Sequence, residues 1–230
     1  MEHVTDPDAL AGLWPPFGLR VTCGPLVLRP MRDADFPEVL AVVHSGIHAP
    51  DAMPFYFPWT DAQGPEMERR FVQYHWRSRA ELSPERWSLD LGVWHEGRFV
   101  GVQGVSTKEF LVTRTGETGS WLGQEFQGRG IGTLMRQAIC VLCLDHLDFA
   151  EVTSGAFVDN PASLGVSRKV GYRRNGEERL ARKGAVATNV HLRLTPDDLV
   201  RPPYDVEVAG VAAFRELVGL DSPASQGRAT

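Results

Sequence analysis

At 230 residues, with 43% hydrophobic and 23% charged residues, the chain has the composition of an ordinary globular protein, which excludes collagen-like, disordered and membrane-spanning classes. A formal net charge of −5, with no stretch that gathers Lys and Arg into a stripe, argues against nucleic acid as a partner. Cys23, Cys140 and Cys143 are too few for a disulfide framework, and neither a signal-peptide pattern nor a run of about 18 apolar residues occurs; the expected location is the cytoplasm, with no membrane partner.

Residues 1–24, rich in Pro, Gly and Asp, read as an extension that packs loosely through Trp14, Phe17, Leu19 and Val21. A strand at Leu26–Leu28 runs into Arg29 and Pro30, and Asp33 precedes a helical set of Phe36, Val39, Leu40 and Val43. Gly46 and Pro50 stop that helix. The segment HAPDAMPFYFPWTDAQGP carries four prolines among aromatics and reads as a long irregular loop, in which Asp51, Met53, Phe55, Phe57 and Trp59 are either plain packing over a sheet or the wall of an acceptor site.

Met67, Phe71, Tyr74 and His75 predict a second helix from Glu66 to about Leu82. Alternation at Trp87, Leu89, Leu91 and Val93, the turn HEGR, and Phe99, Val100, Val102 and Val105 predict an antiparallel hairpin, followed by a strand near Glu117–Gly123. The series Ile131, Leu134, Met135, Ala138, Ile139 and Leu142 is an amphipathic helix. Val152–Val158 reads as a strand, and DNPAS opens a short helix with Asn160 as cap and Pro161 at its first position. Two strands near Tyr172–Arg182 and Ala187–Leu194 complete a mixed α/β sheet; VEVAGV adds a strand, then a brief helix, and the last ten residues read as frayed.

The chemistry sits at Gln127-Gly128-Arg129-Gly130-Ile131-Gly132-Thr133, where glycines open the strongest helix and its N–H groups and dipole suit a pyrophosphate. Equally, it reads as a turn that only starts a helix. The dinucleotide fingerprint and the P-loop do not fit: the third glycine is misplaced, and no Gly-Lys-Ser/Thr follows. Cys140-x-x-Cys143 lacks the second pair of a structural zinc and reads as two buried thiols, and Gly46 between His44 and His48 spoils a shared metal face.

The runs SWLGQEFQGRGIGTLMRQAI and FVDNPASLGVSRKVGY resemble the GNAT N-acetyltransferase superfamily over about residues 26–196, by a Q-x-x-G-x-G loop and an N-x-x-S helix start in the family's order. The L-R-P start and the W-L strand are similar to the branch that includes ribosomal-protein alanine acetyltransferases. HAPDAMPFYFPWT, WSLDLGV, GVQGVSTKEF and FVDNPAS look most like a bacterial subgroup that includes a succinyl-CoA transferase. The resemblance implies an α/β (α+β) GNAT fold, a mixed, mostly antiparallel central sheet splayed between two strands and flanked by helices. It makes 25–196 the acyltransferase domain, with 1–24 and 197–230 as extensions, the latter packed on the domain or used in a homodimer.

It further implies a pantetheine arm on the edge of Trp121, Leu122 and Gly123, a diphosphate at Gln127, Gly128, Arg129, Gly130, Ile131, Gly132 and Thr133, and contacts from Asn160 and Ser163. No metal is required. Acetyl-CoA is the donor by the superfamily's pattern and succinyl-CoA by the narrower likeness, with Arg29, Arg32, Lys108 or Arg114 as a cation for a distal carboxylate. Glu117 matches a carboxylate that deprotonates the amine in some relatives, though it also reads as a solvated turn residue. Ser167 stands where many members carry the tyrosine that protonates the thiolate; Tyr172 is the other candidate, or a buried aromatic. The acceptor is a small-molecule amine, a protein N-terminus or a lysine. The alternative to an enzyme is a CoA-binding module without turnover.

Overall fold

The computed structural model describes residues 7–62 and 64–222. In chain order the main elements are α1 (Pro7–Leu13), β1 (Arg20–Cys23), β2 (Leu26–Pro30), α2 (Phe36–His44), α3 (Gly64–Ala80), β3 (Ser88–His95), β4 (Arg98–Thr107), α4 (Phe110–Thr113) and β5 (Thr115–Leu122). Then follow α5 (Ile131–Val141), β6 (Glu151–Phe157), α6 (Pro161–Val170), β7 (Arg173–Arg182), β8 (Ala185–Leu194), β9 (Val206–Ala209) and α7 (Val211–Leu217). The strands form one sheet in the order β7-β8-β6-β5-β4-β3-β2-β1-β9. Every neighbouring pair is antiparallel except β5 and β6. The expected mixed, mostly antiparallel sheet flanked by helices is therefore the observed one, and no helix among the described residues is long and apolar enough to cross a membrane.

Alternation along the strands divides the sheet into two covered faces. On β4, Gln103 faces α5, whose Arg136 bonds to it, while Gly104 faces the side on which Asp90 of β3 approaches His75 of α3. Helix α5 thus packs on one face, with α6 beside it, and α2 and α3 on the other. Buried Leu89, Leu91, Val93, Val102, Met135, Ala138, Ile139 and Leu142 belong to one continuous core.

The N-terminal reading needs correction. Residues 20–23 do not pack loosely; they form β1 inside the sheet, between β2 and β9, with Leu19 at 1% exposure and Val21 and Cys23 at 0%. Gly24, at φ +54°, begins a two-residue hairpin turn that pairs Cys23 with Leu26, a φ that side-chain-bearing residues rarely adopt. The C-terminal strand-like segment pairs with β1 of its own chain, and Phe214, Val218 and Leu220 are buried. Residues on both sides of the expected boundaries at 24 and 196 therefore share one sheet and one core. The expected fraying lies mostly in residues 223–230, outside the described residues.

Phe214 seals that junction: it is fully buried and meets Trp87 edge-on at 5.3 Å, within a group that includes Phe110 and Phe149. Phe214→Ala should cost about 3–5 kcal/mol in urea unfolding, the usual penalty for an aromatic deleted from a core. A change under about 1 kcal/mol would mean that α7 is not part of the cooperative unit.

Candidate active site

Strands β5 and β6 part within the sheet. Their parallel pairing runs only from Thr115–Glu151 to Thr118–Ser154, yet β5 continues on β4 to Leu122, and β6 continues on β8 to Phe157. Residues 119–122 and 155–157 therefore do not pair with each other, which leaves strand edge available to an extended ligand.

Arg136 lies under this fork, 3% exposed. Its guanidinium donates to Gln103 Oε1 (3.1 Å), Thr118 Oγ1 (3.3 Å), Ser154 Oγ (3.0 Å) and Ser120 Oγ (2.8 Å). Thr118 and Ser154 are the last paired residues, and Ser120 lies beyond the split, so one planar side chain ties β4, β5 and β6 where they diverge. All four acceptors are neutral. Sequence reasoning overlooked Arg136, although it falls within the buried arc of α5, between Met135 and Ala138.

Beyond β5 the chain turns through Gln124–Phe126 into the glycine loop. Gln127 Nε2 donates to Leu122 O and Ile47 O, both at 2.9 Å, so this side chain braces the loop. Gly128 (φ +73°) and Gly130 (φ +84°) take the left-handed conformation, and Gly130 caps α5 with no side-chain hydrogen bond to its first turn. The N–H groups of Thr133 and Leu134 turn back to Gly130 O, whereas helix geometry leaves those of Ile131 and Gly132 without partners in the helix. Gly132 packs between Leu122 and Val166. Arg129 is exposed. A helix start with unspent N–H donors at the mouth of parted strands suits a diphosphate followed by an amide-bearing arm.

On α6, Asn160 Oδ1 accepts from Ser163 N at 3.1 Å, so the side chain expected to touch the pantetheine or the thioester end also caps the helix. Ser167 is 1% exposed, and its hydroxyl has no hydrogen-bond partner among the described residues, an orphaned polar atom that fits a group arriving with the ligand. Tyr172 is buried; its hydroxyl lies 2.8 Å from Thr118 Oγ1 and 3.4 Å from Cys140 Sγ, and burial pushes its ionisation well up. Cys140 and Cys143 are fully buried, as expected of packing thiols.

The opposite face carries the amine-side candidates. Glu117 is exposed and, with Ser106, Lys108, Arg86 and Thr153, lines an open cleft of about 540 Å³. Trp59 leans on Trp121 (6.1 Å), Phe55 (5.4 Å) and Phe71 (5.7 Å), so the aromatic loop closes over the exposed side of β5. Met53 is buried within the loop and Asp51 is exposed, while Phe57 and Tyr56, the latter not singled out by sequence reasoning, are 72% and 75% exposed. His44 and His48 diverge, toward Glu68 and Thr60 respectively. Of the cations considered for a distal carboxylate, Lys108 lines the cleft, whereas Arg29 is held by Asp35 and stacked on Trp94.

One further titratable group lies on this face. Burial pushes the Asp90 carboxyl up to about 6, against which the neighbouring Tyr74 hydroxyl favours the charged form. His75, 3.8 Å away through Nδ1, is pushed down to about 3 by burial and then by the charge of Arg79. It is neutral at physiological pH.

A family model described as an acetyltransferase (GNAT) domain matches residues 25–173. The Bacillus subtilis (strain 168) protein named "Putative ribosomal N-acetyltransferase YdaF" is 25% identical over 119 residues, 52% of this chain and 63% of that protein, so the match spans less than two thirds of the relative. Among solved structures, Mycobacterium smegmatis RimJ in complex with CoA-disulfide aligns at TM-score 0.64 and 20% identity, over 82% of this chain and 91% of the other. RimL, a ribosomal L7/L12 alpha-N-protein acetyltransferase in complex with coenzyme A, aligns at 0.62 and 19%, over 76% and 96%. Those structural likenesses carry the fold.

The two shifted groups oppose each other in acid. Asp90 holds an extra proton in the folded state between its ordinary 3.8 and about 6, so its contribution to stability falls as pH rises through that window. His75 is protonated only when unfolded between about 3 and 6.5, so its contribution rises with pH. Asp90→Asn removes the first effect alone. Relative to wild type the variant should gain up to about 3 kcal/mol between pH 4 and 7, read from urea midpoints; a pH-independent difference would contradict the shift.

Proposed function

This chain belongs to the GNAT acetyltransferase family, and from that premise we propose that it is an N-acyltransferase moving an acyl group from coenzyme A to a primary amine by direct attack. The observation that carries the reading is a continuous path: N–H donors at the start of α5, the unpaired edge of β5 beside them, and an exposed carboxylate on the same strand facing an open cleft. In this reading the diphosphate meets the amides around residues 129–133, and the pantetheine adds to β5 at Trp121, Leu122 and Gly123.

The amine reaches the cleft as an ammonium ion, and Glu117, with no ion pair among the described residues, takes its proton directly or through water. The freed lone pair attacks the thioester carbonyl; the C–N bond forms and the C–S bond breaks. Ser167, whose hydroxyl lacks an acceptor, supplies a hydrogen bond to the departing sulfur, and the second proton that the attacking nitrogen loses on becoming an amide passes through water to complete the thiol. The Nδ2 group of Asn160, not used in the helix cap, remains available to the pantetheine. Phe55 and Trp59 wall the acceptor side over Trp121, and Met53 supports that wall from within.

Acetyl is the donor group in this reading, with succinyl the second choice, and Lys108, which lines the same cleft as Glu117, is the cation that favours the latter. The acceptor is a small amine or a protein N-terminus; the relatives named for ribosomal proteins motivate the second. CoA and acetyl-CoA should each raise the melting temperature by several degrees at about a hundred times their dissociation constants. Glu117→Gln should keep that shift while lowering kcat/KM for thiol release with an amine by roughly 10²-fold or more. No shift with any CoA species would overturn the reading, and a shift without thiol release across a broad amine panel would leave a binding module.

A further inference from the structure

A row of glycines crosses three strands on the face bearing Glu117. Gly104 on β4 is opposite Gly119 on β5, and Gly155 on β6 is one step beyond the last β5–β6 pair, Thr118–Ser154. Nothing lies within 4 Å of where a side chain on Gly119 would begin. The two ends are different: a methyl on Gly104 would collide with Asp90 Oδ1, and one on Gly155 would lie 3.5 Å from Glu117 Oε1, with the Asn189 amide beside it. The floor is open in the middle and has a carboxylate at each end.

Asp90 lacks a counter-ion. Its Oδ2 is buried without a hydrogen-bond partner among the described residues, and the neighbouring His75 ring stands 3.8 Å away, beyond hydrogen-bond range, and is neutral. Arg79, the nearest cation to act on that ring, is engaged by Asp33 and by Met31 O. The Asp90 side chain keeps 18% of its surface open. A carboxylate so placed costs folding energy, and a ligand ammonium would relieve that cost. Arg86 and Lys108 line the cleft beyond Glu117, at its Thr115 end.

We propose that Asp90 is a specificity residue of the amine site, that the space over Gly119 between Asp90 and Glu117 binds the acceptor, and that the acceptor is an amine carrying a second cationic group. This rests on the transfer reading only for the fate of the reacting nitrogen: one ammonium pairs with Asp90, and the other gives its proton to Glu117 and attacks the thioester. The span from Gly104 to Gly155 is two interstrand spacings, about 10 Å, which accommodates a short diamine with an ammonium at each carboxylate. Tyr74, beside Asp90 and half exposed, rims the end that holds the spectator charge.

The test is calorimetric binding of 1,4-diaminobutane and n-butylamine to the CoA-loaded full chain, which needs no turnover. Wild type should bind the diamine at least ten-fold more tightly, Asp90→Asn should bring the two amines within about two-fold, and Gly119→Val, which has room in the fold, should weaken both. Equal affinities in wild type, or a ten-fold preference retained in Asp90→Asn, would overturn the proposal. Should Asp90→Asn not fold, carboxyl NMR of wild type decides: the diamine should lower the titration midpoint of Asp90 and n-butylamine should not, and equal effects would overturn it. Thiol release is measured separately, so its absence with every amine would strike the transfer reading and leave the binding result standing.

Discussion

Arg136 is the constraint around which the site is arranged. A guanidinium removed from water must find partners for its fixed fork of donors, and here it finds four neutral oxygens on three strands at the point where β5 and β6 separate. Two adjacent strands ordinarily continue pairing wherever both are extended. The Arg136 fork instead binds the last paired residues, Thr118 and Ser154, and the first unpaired hydroxyl, Ser120, so it favours a split of defined position. Tyr172 joins through Thr118, and Gln103 is itself held by the carbonyls of Gly104 and Gly119. Such a buried hydrogen-bonded network holds one geometry more firmly than apolar packing would.

The division of the sheet into two faces then separates two kinds of chemistry. On the α5 side lie the fork, the glycine loop and the orphaned Ser167 hydroxyl, all suited to the donor. On the α2 and α3 side lie the cleft, the aromatic loop over Trp121 and two carboxylates in unlike settings, Glu117 exposed and Asp90 buried. In the proposed reading donor and acceptor meet through the split, where β5 and β6 no longer pair.

What the sequence revealed follows from the range of the interactions involved. The glycine loop and the Asn160 cap are local patterns, since φ above zero and an N-terminal cap each need one residue type within a few positions, and both were legible. The strand at Arg20–Cys23 was hidden because Gly24 and Pro25 read as loop when they in fact make a tight hairpin turn. Arg136 and Asp90 were hidden for another reason: each reads as an ordinary polar residue of its element, and its meaning depends on neighbours in other strands. The Gly104–Gly119–Gly155 floor exists only through cross-strand register, which no single segment encodes. Glu117 and Ser167 were singled out only through the family resemblance, because no local pattern marks them.

The most direct test of this account is a crystal structure of the protein with acetyl-CoA. The account predicts the diphosphate on the N–H groups at the start of α5, the pantetheine amides bonded to the free edge of β5 at Trp121, Leu122 and Gly123, and Arg136 still joined to Thr118, Ser154 and Ser120. An acetyl-CoA seated away from the split, or β5 and β6 paired beyond Thr118 and Ser154 with Arg136 displaced, would contradict it.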